Sequence, residues 1–145
     1  MKKYLLFAVV LFITASVTRA QGYLGIGSGA SRGVWVVNMQ GGYQAKHFAL
    51  ELEMKVPPVS QQVSNPMIAA AKAGCPINLQ NSWLVMPYVQ YGYHYYSADE
   101  AKTAAWQNGF KAGVGVRLQY GHVFVQADHF KDNYFCFGII KAFGR

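Results

Sequence analysis

Four histidines and two cysteines are the residues of this chain that most invite a chemical reading: His47, His94, His122, His129, Cys75 and Cys136. A metal site needs such ligands to converge with the right spacing. No pair here has that spacing beside a Cys or carboxylate, except His129 next to Asp128, and adjacent strand residues point to opposite faces. A hydrolase or acyltransferase needs a serine, a histidine and an acid in reach of one another. Ser97 and His94 are three apart and so face opposite sides of a strand, and no strand-borne serine accompanies His129 at i±2. The glycine-rich stretches GIGSG and GVGV do not open helices, so they do not cradle phosphate. The residues therefore point to no metal, no cofactor and no enzyme. Lone turn or lumen histidines account for the pattern.

A second set of residues has a different character. Glu51, Glu53, Lys55, Lys111, Arg117 and Asp128 all fall on the polar face of an alternating stretch. Three anions and three cations sharing one interior would form a paired network, because buried charges are tolerated only when paired.

The elements that carry these residues alternate with period two, the mark of a two-faced strand. In FALELEMKV (48–56), Phe48, Leu50, Leu52, Met54 and Val56 oppose Ala49, Glu51, Glu53 and Lys55. In FKAGVGVRLQY (110–120), Phe110, Ala112, Val114, Val116, Leu118 and Tyr120 oppose Lys111, Gly113, Gly115, Arg117 and Gln119. The same rhythm runs through 22–29, 34–44, 83–97, 122–130 and 134–145. Pro57-Pro58 ends the third strand, since proline cannot donate to a ladder. Between them, alanine propensity gives MIAAAKAG (67–74) a short helix, and CPINLQ (75–80) is read as a strand pairing in the barrel with Ile77 and Leu79 outward. Loops are expected at 28–33, 57–75, 97–109 and 131–133.

Composition decides which face meets which solvent. Charged residues are 13% of the 145-residue chain and aromatics 15%, with fifteen glycines and ten tyrosines. A soluble β domain would carry charge on its outer faces. Here the faces opposite the aliphatic ones hold Gly25, Gly27, Gly42, Gly92, Gly113, Gly115 and Gly138, which suit a narrow interior better than an exposed surface. Turned outward to lipid, the aliphatic faces need strands of about 9–11 residues, and several reach that. Trp35, Tyr43, Trp83, Tyr95, Tyr120 and Phe143 stand near strand ends, where aromatic girdles mark the membrane interfaces.

The first twenty residues read as a secretory signal peptide: Lys2 and Lys3, an apolar run from Tyr4 to Ile13, then Thr18-Arg19-Ala20. The run is shorter than the about 20 apolar residues of a spanning helix. Residues 21–145 are then the mature barrel domain. Of the 13 Lys and Arg, three lie in the leader, which leaves ten against six Asp and Glu. They are scattered, which excludes a nucleic-acid surface. An oxidising compartment permits Cys75 and Cys136 to pair, and an inert core role for Cys136 fits equally.

The stretch PYVQYGYHYYSADEAKTAAWQNGFKAGVGVRLQYGHVFVQADHFKDNYFCFGIIKAFGR (87–145) resembles the last four strands of small outer-membrane β-barrel proteins, the eight-stranded class like outer-membrane protein A. Residues 22–56 share the pattern only. The family usually ends on Phe or Trp, whereas here the last aromatic, Phe143, is followed by Gly144 and Arg145. The resemblance implies an all-β, closed antiparallel transmembrane β-barrel of about eight strands, located in the cell outer membrane. Its partners would be outer-membrane lipid, the barrel-assembly machinery and an extracellular ligand met through the loops. The reading is a monomer with a filled lumen and a structural or surface-interaction role. The alternative is a soluble exported β-barrel that binds a small apolar ligand, with the same strands turned inside out.

Overall fold

The computed structural model describes residues 21–31, 34–57, 67–95, 108–130 and 132–143. The leader at 1–20 lies outside them. The strands are β1 (Gln21–Ser31), β2 (Val34–Gln44), β3 (Ala49–Val56), β4 (Met67–Gly74), β5 (Ile77–Asn78), β6 (Trp83–Tyr95), β7 (Gly109–Tyr120), β8 (Val123–His129) and β9 (Asn133–Phe143). They form one sheet in the order β4-β3-β2-β1-β9-β8-β7-β6, with β5 on the far side of β6. One pairing joins the first strand to the last, and a second closes the ring. β1 runs antiparallel to β9 from Gly22↔Phe143 to Ala30↔Phe135. β4 runs antiparallel to β6 from Met67↔Tyr95 to Gly74↔Tyr88. The result is a closed antiparallel barrel of eight long strands.

The alternation sets what is inside. Along β3 the burial alternates strictly, Ala49, Glu51, Glu53 and Lys55 inward and Leu50, Leu52 and Met54 outward. Along β7, Phe110, Val114, Val116, Leu118 and Tyr120 are exposed while Arg117 is fully buried. The outer wall is thus mainly aliphatic and aromatic, with Leu52 70% and Phe110 64% exposed. The aliphatic faces point out, so the apolar interior that a soluble ligand-binding barrel requires is not formed.

The segment 67–74 corrects the sequence reading. It is strand β4, not a helix. Eight residues are too few for a stable isolated helix, and without a strand here β3 and β6 would each keep an unpaired edge. Its alternation had been present in the sequence: Ile68, Ala70 and Lys72 are buried, and Met67, Ala69 and Ala71 exposed. The segment 75–80 contributes no barrel strand. Only Ile77 and Asn78 pair, with Val85 and Leu84 at the base of β6, although Ile77 and Leu79 do face outward. The loops contract accordingly. Residues 28–31 belong to β1, 67–74 to β4, Gly109 to β7 and Asn133 to β9. Most of the expected 97–109 loop lies outside the described residues.

One end of the barrel has short connections and is called the turn end below. Ala45 N–H donates to the Phe48 carbonyl at 2.7 Å between β2 and β3. Gly121 turns β7 into β8 with φ 55°, a left-handed conformation that glycine adopts without steric cost. The opposite end, where β3 leads to β4 and β6 to β7, is the loop end.

Inside, apolar groups flank a polar middle. Ile68, Ala70, Phe130 and Tyr134 cluster toward the loop end. Tyr23, Phe124 and Ile140, and separately Ala49, Leu84, Met86 and Tyr88, cluster toward the turn end. Glycine makes the room. Gly115 on β7 is in register with Tyr88 on β6 and Asp128 on β8. Tyr88 reaches over it, and a Cβ at Gly115 would lie 2.5 Å from the Tyr88 ring. Gly115→Val should therefore displace Tyr88 and destabilise the barrel by about 1–3 kcal/mol, the usual cost of overpacking. Urea unfolding followed by tyrosine and tryptophan fluorescence measures this; an unchanged midpoint would contradict the packing.

Candidate functional site

The middle of the lumen is occupied by three carboxylates and three cations. Adjacent β3 lumen positions supply Glu51, Glu53 and Lys55, because alternate residues share a face. β4 adds Lys72, β7 adds Arg117, and β8 adds Asp128. Glu51 Oε2 meets Arg117 Nη1 at 2.5 Å, and its Oε1 meets Lys72 Nζ at 3.3 Å. Glu53 Oε1 meets Lys72 at 2.8 Å, and its Oε2 pairs with Lys55. Asp128 Oδ2 meets Lys55 at 2.9 Å and its Oδ1 lies 3.7 Å from Lys72. Each of the six carboxylate oxygens thus faces a cation. The side chains of all six residues are 1% exposed or less.

Neutral donors complete the shell. Tyr23 donates to Glu51 at 2.5 Å, and Tyr88 donates to Asp128. The Gln126 amide bridges Glu53 at 2.6 Å and Asp128 at 2.8 Å. The Gln40 amide, oriented to suit its neighbours, donates to Glu51 at 3.3 Å and accepts from Arg117 at 3.0 Å. Arg117 also lies 5.3 Å from the Tyr23 ring centre, and Lys72 4.5 Å from that of Tyr88, distances at which ring faces attract cations. The cluster draws side chains from β1, β2, β3, β4, β6, β7 and β8 and ties the barrel wall together across the lumen.

Of the residues singled out by sequence, the structure brings together Glu51, Glu53, Lys55, Arg117 and Asp128. Lys111 corrects the sixth place: it is half-buried farther along β7 toward the loop end, opposite Gly92, and is not a member of the ion pairs above. Lys72 takes that place. Sequence reading missed it because 67–74 was read as a helix. The usable signal was its phase, two residues on from Ala70 and four from Ile68. Sequence reading gave Tyr23, Gln40, Tyr88 and Gln126 no role, and each bonds a carboxylate on another strand.

The girdle residues divide between the two ends. Tyr43, Trp83, Tyr120 and Phe143 are exposed on the outer wall at the turn end, and the Trp83 and Tyr120 rings meet at a 43° tilt with centres 4.9 Å apart. Trp35 and Tyr95 are exposed near the loop end, where Tyr93, Phe110 and Phe135 join them. His94 is buried with its ring edge-on to Phe130, centres 4.6 Å apart. His129 points outward with Nδ1 2.7 Å from Asn133 Oδ1, while its neighbour Asp128 points into the lumen. His47 and His122 are exposed at the turn end. Among the described residues no three His, Cys, Asp or Glu side chains are grouped to hold a metal. Cys75 is exposed and Cys136 buried, and both are free thiols.

Neither a protein-family model nor a curated protein matches the chain. Solved structures do. A de novo designed transmembrane β-barrel matches with TM-score 0.52 and 15% identity, covering 85% of this chain and 95% of that one. The Yersinia pestis outer membrane protein Ail, in a phospholipid bilayer nanodisc, matches with TM-score 0.53 and 10% identity, covering 86% of this chain and 99% of that one. At such identity the likeness concerns fold alone. The fold is that of eight-stranded transmembrane β-barrels.

The cluster makes a sharp prediction. Arg117→Leu leaves Glu51 buried without its strongest partner and should destabilise the barrel by about 3–5 kcal/mol. Adding Glu51→Gln removes the orphaned charge and should recover much of the loss. Denaturant titrations of the single and double variants test this. A single variant as stable as the native chain would show that the pair carries no weight.

Proposed function

We propose that this protein is an integral outer-membrane β-barrel with a filled lumen, exported behind a cleaved leader, whose role is structural or interactive rather than catalytic. The observation that carries the reading is the inversion of its two faces. A wall bearing Leu24, Ile26, Leu52, Val89, Phe110, Val125 and Ile139 at more than half exposure is out of place in water, where large apolar patches drive association. It suits the hydrocarbon core of a bilayer, which in turn demands a sheet with no open edge. The aromatic residues at both ends fit the two interfaces.

The filled lumen is supported by the charge cluster. Within the cluster, all six carboxylate oxygens face cations, and the six charged side chains at that level are 1% exposed or less. The barrel is a monomer by this reading, since its sheet closes on itself. It enters the membrane through the assembly machinery and meets other molecules through the connections at the loop end.

Gel mobility of the membrane fraction, unboiled against boiled, tests the reading. A closed membrane barrel resists detergent until heated and runs at a different position when boiled. A heat-dependent shift in the membrane pellet is expected. Recovery of the chain in the soluble periplasmic extract, with no shift, would overturn it.

A further inference from the structure

The turn end carries an uneven charge distribution. Lys46 and His47 are exposed in the β2–β3 turn, His122 is exposed in the β7–β8 turn, and Lys141 is exposed on the outer wall of β9. In barrel order they follow the arc β3-β2-β1-β9-β8-β7. Register ties the arc together: Tyr43 pairs with Gly22, Gly22 with Phe143, and Ile140 N–H donates to the His122 carbonyl at 2.8 Å. Among the described residues this end has no carboxylate on its surface. Glu51, Glu53 and Asp128 are committed to the lumen, and Asp132 stands at the loop end.

Lys141 is the informative member. It is a cation on the lipid-facing side, directly opposite the exposed Leu24. A lysine there is tolerated only by extending its stem to the interface. Its Nζ lies 5.9 Å from the ring centre of Phe143, two residues nearer the end. The stem therefore runs along the aromatic girdle toward the headgroup level. Lys46 lies beyond the same girdle, three residues from Tyr43.

We propose that this arc is a binding surface for anionic phospholipid headgroups, with Lys46 and Lys141 contacting headgroup phosphates and Tyr43 and Phe143 fixing their depth. The occupant follows from charge complementarity: two exposed ammonium groups, no competing surface carboxylate among the described residues, and an aromatic belt that sets the arc at the interface. The proposal rests on the membrane reading above and names the lipid class that one rim of that barrel prefers.

The test uses the full folded chain in vesicles and spin-labelled lipid probes. Association of spin-labelled phosphatidylglycerol is compared with that of spin-labelled phosphatidylcholine, after heat-shift gels establish that the barrel has inserted. The native chain should prefer phosphatidylglycerol, by about 5-fold for each engaged lysine. Half-molar salt should weaken that preference, since it shortens the screening length. Lys46→Gln with Lys141→Gln should bring the ratio close to one, and the paired Lys→Arg substitutions should keep it. Equal association of the two lipids with the inserted native chain would overturn the proposal and leave the membrane reading intact. An unchanged preference in the double Gln variant would overturn the assignment to these lysines. A chain that never inserts would overturn both readings.

Discussion

A sheet bordered by hydrocarbon must satisfy every backbone hydrogen bond within itself. On the reading proposed, that constraint governs everything else in this protein. It requires the two edges of the sheet to pair with each other, which the β4–β6 ladder does. It favours an apolar outer face, and so turns most polar residues of the alternating strands inward, with Lys141 and His129 facing outward only near strand ends. Eight strands enclose an interior just wide enough for side chains to fill. The polar groups must then satisfy one another inside a narrow, poorly hydrated space. The cluster of Glu51, Glu53, Asp128, Lys55, Lys72 and Arg117 answers that need, with equal numbers of each sign and two tyrosines and two glutamines at the remaining valences.

Closure and charge balance depend on each other through β4. That strand supplies both the last pairing of the sheet and the third cation of the cluster. Without Lys72, Glu53 would lose its contact at 2.8 Å and Glu51 the one at 3.3 Å, and three buried carboxylates would face two cations. Breaking a buried pair leaves an uncompensated charge, which costs more than the intact pair contributes. The small residues serve the same economy of space. Gly115 lets Tyr88 cross β7 to reach Asp128, and Gly27 and Gly138 lie side by side beneath the Phe124 ring.

Much of this architecture was legible in the residues themselves. Alternation in 48–56, 110–120 and 122–130 gave the strands, their orientation and five of the six charges that meet in the lumen. The glycines opposite the aliphatic faces told which side is inside. The alanine-rich 67–74 was read by local propensity, and there tertiary pairing overrides propensity: a segment that neighbours need as a strand becomes one. Lys72 went unseen for that reason, and Lys111 was put in its place because β7 phase alone cannot tell how far along the axis a side chain lies. Depth depends on strand tilt and register, which no single stretch of sequence contains. The contacts of Tyr88, Tyr23 and Gln40 were hidden likewise, since each joins strands distant in the chain.

The central claim is that odd and even residues of β7 face two different media, and spin-label accessibility measures it directly. Single labels placed in turn along residues 110–120 of the bilayer-reconstituted protein would be exposed to oxygen, which concentrates in lipid, and to a water-soluble nickel complex. The account predicts oxygen accessibility at Phe110, Val114, Val116 and Leu118, with intervening positions shielded from both reagents. High nickel accessibility at Lys111, Gly113 and Gly115 with shielded even positions would show the sheet turned the other way, with its aliphatic face on a soluble core.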